Sequence, residues 1–252
     1  MLIRTKNLFT LFKLIGVLVG LYSVCRLLFY IFNYTYFSDL HYLELLKLFF
    51  FSIRFDLSVI ILTNSLFIFL YLWPFSIRET AGYRSILKWL FVIVNSVAMF
   101  ANCVDLAYFQ FTLKRTNSSV FNFFTGQIGH DFFQLLPIFL KDYWYVLIIF
   151  SFLVVSLYYI YQKIEPDRFL SWRIPDYFYQ IWYFIISTGI FIVLYRGGFQ
   201  LKPISIANAS EYTSVKNIPL VISPPFSIMK TWKVQAIEPA KECKLREEEL
   251  KK

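Results

Sequence analysis

The chain is poor in the residues that build most reactive sites. Its three cysteines, Cys25, Cys103 and Cys243, are scattered and odd in number. Neither a disulfide framework nor zinc-ligand spacing follows from them. Cys25 and Cys103 lie in apolar runs, as small core residues do. The two histidines, His41 and His130, stand far apart, which argues against a histidine-based metal site. No Gly-rich phosphate loop and no nucleophile–base arrangement occurs, and Glu247-Glu248-Glu249 is a solvated charge run rather than a carboxylate pair. Nor is there an internal repeat, which leaves a small transporter little support.

Apolar residues take the place of these groups. The chain is 58% hydrophobic with a mean hydropathy of +0.57, whereas soluble domains run at roughly 45–50% apolar. Aromatics reach 21%, which suits a lipid-facing surface with interfacial belts. The formal charge of +9 does not point to nucleic acid, because Lys and Arg lie in loops between apolar runs. There they set topology and meet anionic headgroups.

A helix needs about 20 apolar residues to cross the hydrocarbon core. About five segments meet that need: Leu8 to Phe32, Leu57 to Trp73, Ile86 to Leu106, Tyr143 to Tyr161 and Phe178 to Tyr195. The first is too long for a signal-peptide core and lacks a small-residue cleavage site. Arg4, Lys6 and Lys13, then Arg78, Arg84 and Lys88, then Lys163, Arg168 and Arg173 mark one side as cytoplasmic. The expectation is an all-α polytopic bundle, with residues 1–196 in the membrane and an extracytoplasmic connector over 197–252. Leu40 to Ile53 has helical apolar spacing and forms an interfacial helix or extends the second span. Asn117 to Leu136 is expected to form broken interfacial helices, with Asn117-Ser118-Ser119 as a cap.

Charges at membrane depth are the functional candidates. Arg54 and Asp56 open the second span at i and i+2, on different helix faces. Asp105, late in the third span, is a candidate partner for Arg54. Arg54, Asp56, Asp105, Lys114 and Arg115 either solvate at headgroup depth or form an outer pocket for an anionic lipid headgroup. Arg26 snorkels outward or pairs internally. Asn64, Asn95 and Asn102 are expected to hydrogen-bond between helices. Gly197-Gly198 permits a bend at the end of the fifth span. Ile204 to Tyr212 is a short surface helix, Pro224-Pro225 stiffens the path that follows, and Phe226 with Ile228 makes an apolar docking tip.

Several of these residues carry a resemblance. They are Arg54-Phe55-Asp56, then Asp105-x-x-Tyr108-Phe109 with Lys114-Arg115, then Lys141-Asp142-Tyr143-Trp144, Arg196-Gly197-Gly198 and Pro225-Phe226-Ser227-Ile228. Their order and spacing resemble the membrane part of lipoteichoic-acid-synthase-like sulfatases, of the alkaline phosphatase superfamily, over nearly the whole chain. Ser223-Pro224-Pro225 departs from the family's usual polar-threonine-proline. The resemblance implies five spans, followed in the family by an extracytoplasmic domain with a threonine nucleophile and manganese or magnesium. No counterpart of that domain's residues occurs here, so no cofactor is expected in this chain. The implied role is a membrane anchor for a phosphoglycerol transferase or sulfatase, inactive by itself and set in the bacterial cell membrane. Implied partners are membrane lipids, including anionic phospholipid, a second copy, or a separate catalytic subunit. The other reading is a free-standing membrane protein that binds lipid or a partner subunit.

Overall fold

The computed structural model describes residues 2–73, 80–120, 141–164, 174–200 and 202–232, and the backbone only for 2–7 and 174–180. The expectations for residues 121–136, for the connector beyond 232 and for Cys243 and His130 lie outside these residues.

The described residues form helices α1 (Leu2–Phe32), α2 (Tyr42–Thr63), α3 (Ser65–Tyr71), α4 (Ala81–Thr112), α5 (Trp144–Ile164) and α6 (Ile174–Arg196). Two short helices follow, α7 (Ile218–Val221) and α8 (Pro224–Thr231), with 3-10 turns at Ile206–Glu211 and Val215–Asn217. The chain is thus all-helical over the described elements. Three helices are long and apolar enough to cross a membrane: Leu8–Phe32, Ala81–Thr112 and Trp144–Ile164. Ile181–Arg196 is a shorter apolar helix.

The segment around Leu40 to Ile53 is no separate interfacial helix. It runs unbroken into the apolar stretch as α2. Between Leu57 and Trp73 the helix is interrupted at Asn64, with φ −92° and ψ 11°, yet Asn64 N–H still bonds Ile60 O and Ile68 N–H still bonds Asn64 O. Asn64 and Asn95 exchange two amide hydrogen bonds, of 3.0 and 2.7 Å, between the α2–α3 junction and α4. Such a pair is worth about 1 kcal/mol in lipid. Asn102 instead bonds Ala98 O within its own helix.

The core runs along the packed faces of α1, α2, α3 and α4 and includes Leu18, Phe55, Phe67, Met99 and Phe109. At one end it becomes aromatic, where Phe29, Phe37, Tyr36 and Phe109 meet edge to face and stacked. The connector packs on this same end. Phe226 is fully buried and meets Phe55 edge to face at 5.4 Å, so the expected docking tip is docked into the bundle itself. Pro224 and Pro225 do not form an extended path. They occupy the first turn of α8, where a missing N–H costs nothing and the fixed φ is already helical.

Candidate functional site: two arginine clamps on the connector

Helix α6 ends where the sequence turns to Gly197-Gly198, with φ of +77° and +131°. Gly198 N–H bonds Val193 O and Gly197 N–H bonds Leu194 O, the paired closure of a helix that stops on a left-handed residue. The last four carbonyls of a helix lack intrahelical donors, and here the other two are also satisfied. Ser58 Oγ donates to Tyr195 O at 2.6 Å, and Ile204 N–H donates to Arg196 O at 3.1 Å.

Arg54 grips the outside of this turn. Its Nε donates to Gly197 O at 2.6 Å, one terminal nitrogen to the Tyr212 hydroxyl at 2.6 Å, and the other to Gln200 Oε1 at 2.9 Å. The fork is fully engaged, and every partner is a neutral oxygen. Tyr212 also stacks on Phe51 at 4.3 Å. Arg54 therefore does not pair with Asp105. It faces the 197–212 segment, on the side of α2 away from Asp56.

Asp56 pairs with Arg26 instead. The two share bonds of 2.6 and 2.8 Å, with side-chain exposures of 0% and 3%. Arg26 turns inward rather than snorkelling, because its remaining donors have a second target. Its Nε donates to Leu220 O at 2.7 Å, and one terminal nitrogen also reaches Val221 O at 3.3 Å.

A second pair stands beside the first. Asp105 accepts from Arg115, and also from the N–H and hydroxyl of Thr116 at 2.7 and 2.6 Å. Arg115 Nε donates to Pro219 O at 2.6 Å, and its guanidinium lies 3.5 Å from the centre of the Phe29 ring. Helix α4 ends at Leu113, a non-glycine residue at φ 51°, and this reversal folds Arg115 and Thr116 back onto Asp105. Burial works against the Arg115 charge, and the neighbouring Asp105 carboxylate sustains it.

Both arginines thus converge on three consecutive carbonyls, those of Pro219, Leu220 and Val221. In a helix the donors for Leu220 and Val221 would come from residues four further on. Those residues are Pro224 and Pro225, which have no N–H. The connector exposes carbonyls that its own sequence cannot satisfy, and the bundle supplies guanidinium donors. An unmade bond at buried backbone costs about 1–3 kcal/mol.

Of the five expected site residues, Asp56, Asp105 and Arg115 meet at this clamp, while Arg54 holds the neighbouring turn. Lys114 is exposed, and its ammonium has no hydrogen-bond or ion-pair partner among the described residues. The expected set omitted Arg26, Thr116 and the carbonyls of 219–221. The signal for those carbonyls was Leu220-Val221 followed four residues on by two prolines. No group of three or more His, Cys, Asp or Glu that could hold a metal occurs among the described residues. Protein-family models, curated proteins and solved structures give no match to this chain.

Proposed function

We propose that this chain is a membrane-anchoring bundle that holds an extracytoplasmic connector in one fixed orientation, as the membrane part of a lipoteichoic-acid-synthase-like phosphoglycerol transferase or sulfatase. The observation that carries the reading is the double clamp. Two buried Arg–Asp pairs and Arg54 are spent on backbone and side-chain oxygens of 197–221. A connector that served only as a tether would need none of them, since a flexible linker holds its cargo without contacts. Fixing the path of the chain matters where a catalytic domain must face the membrane at a set height. The described residues do not fit the manganese or magnesium of that family, because they offer no ligand cluster. No chemical step is assigned to them.

In this reading α2–α3 and α6 complete five spans, with the N-terminus cytoplasmic and the connector outside. Reporter fusions after Arg84 and Arg173 are expected to report cytoplasm, and fusions after Thr116 and Lys252 the outer side. A cytoplasmic signal at Lys252 defeats the proposal. Purified chain with manganese is expected to turn over no phosphodiester or sulfate ester, and metal-dependent turnover that survives repurification defeats the anchoring role.

A further inference from the structure

An open groove of about 450 Å³ lies between α2–α3 and α6, lined by Ile61, Leu62, Ser65, Phe69, Thr188 and Tyr195 among others. Its volume lies in the range of about 300–1,000 Å³ typical of small-ligand clefts. Leu62, Leu66 and Ile192 on its rim are 37%, 57% and 53% exposed, so it opens sideways from the bundle. It runs along α6 for about 10 Å at the helical rise, ending at Tyr195, just before the Gly197 turn.

Lys230 stands at that end. Lys230 Nζ lies 5.8 Å from the centre of the Tyr195 ring and 5.4 Å from that of Phe226. It has no carboxylate and no hydrogen-bond partner among the described residues. Burial pulls its ammonium below the usual lysine value, a cost that an adjacent anion removes. Arg54, close by on Gly197, also lacks a carboxylate, so the local field is positive. An apolar slot opening toward hydrocarbon with an unpaired ammonium at its outer end is complementary to a phospholipid: acyl chain in the slot, phosphate on the amine.

We propose that this groove and Lys230 hold one anionic phospholipid, bound along α6 with its phosphate at Lys230. The inference rests on α2–α3 and α6 facing lipid and makes no use of a catalytic partner. The test is native mass spectrometry of the full chain released from nanodiscs of phosphatidylglycerol or of phosphatidylcholine. Lys230→Gln is expected to lower retained phosphatidylglycerol roughly tenfold, the scale of one charge-assisted hydrogen bond, and to lower phosphatidylcholine retention less, because its choline cation offsets the phosphate charge. Lys230→Arg is expected to restore retention. Ser65→Phe, at an exposed groove position, fills the slot without disturbing the core and is expected to lower retention of both lipids. Helical circular dichroism equal to wild type checks that each variant is folded. Wild-type retention of phosphatidylglycerol by folded Lys230→Gln or by folded Ser65→Phe overturns the site while leaving the anchoring reading intact. A wild-type chain that retains neither lipid overturns the lipid-facing placement as well.

Discussion

The two faces of α2 grip the connector by different means. On one face Asp56 is sealed with Arg26, and Asp105 with Arg115, so the charges cancel and the spare guanidinium donors reach Pro219, Leu220 and Val221. On the other, Arg54 meets only neutral oxygens, those of Gly197, Gln200 and Tyr212. Positions i and i+2 diverge by about 200° around a helix, so one short sequence, Arg54-Phe55-Asp56, pins two separate connector segments. Phe55, between them, packs on Phe226 and Tyr212. The contrast teaches where energy and where charge reside. The sealed face is deeply buried, whereas the face of Arg54 is only part-buried.

The sharpest way to break this contrast is to remove one carboxylate. Asp56→Ala leaves Arg26 buried without a counter-charge, which costs about 3–5 kcal/mol. The expected readout is a large loss of thermal stability in detergent, together with new protease cleavage within 202–232. A change no larger than that of Arg54→Ala would mean that the two faces are equivalent. Arg54→Ala itself is expected to cost about 1.5–3 kcal/mol, the scale of hydrogen bonds to a charged group. Arg54→Lys is expected to recover little of it, because a single ammonium cannot reproduce a fork that reaches three separated oxygens.

Gly197→Ala sharpens the comparison from the backbone side. Its φ is +77°, and an added Cβ would lie 3.1 Å from Ile204 Cβ and 3.3 Å from Arg54 Nε. Left-handed strain and crowding together are expected to cost about 1–2 kcal/mol. The loss should be confined to the charged face. Hydrogen exchange is expected to quicken at 198–212 and not at 218–222, and uniform loosening would show that the two segments are one unit.

The long helices were legible because lipid demands length and apolarity, both counted directly on the chain. The turn after α6 was legible too, since two adjacent glycines at the end of an apolar run admit few other roles. The pairings were not legible. Asp105 found Arg115, ten residues on, only because Leu113 takes a left-handed conformation that no residue type announces. The Arg26–Asp56 pair depends on the rotational setting of α1 against α2, which packing decides. What made Arg26 necessary was backbone: Pro224 and Pro225 withhold N–H groups from Leu220 and Val221, a signal carried by residues that themselves bear no charge. For Leu40 to Ile53 the apolar spacing left an interfacial helix and an extension of the second span equally open, because Glu44, Lys47, Arg54 and Asp56 interrupt the apolar count; the backbone takes the extension.

The smallest expected effect lies at the outer edge of the clamp, where Asp39, after the first helix, accepts from Lys216 ahead of α7. Both groups are exposed, at 78% and 45%, so water and salt screen the pair. The hydrogen bond from Lys216, and then its charge, hold the Asp39 carboxyl below its ordinary value of 3.8. A carboxyl depressed in the folded state contributes stability in full above its unfolded value. That contribution is lost as pH falls through the folded value. Asp39→Asn is therefore expected to lower the melting temperature slightly at pH 7, with the two curves merging once pH falls well below 3.8. Added salt should shrink the difference at pH 7, because exposed charges are screened within about 8–10 Å at moderate ionic strength. No such salt dependence is expected for Asp105→Asn, whose ion pair with Arg115 is buried. A salt-insensitive difference at Asp39 would place that pair with the sealed face of α2 rather than outside it.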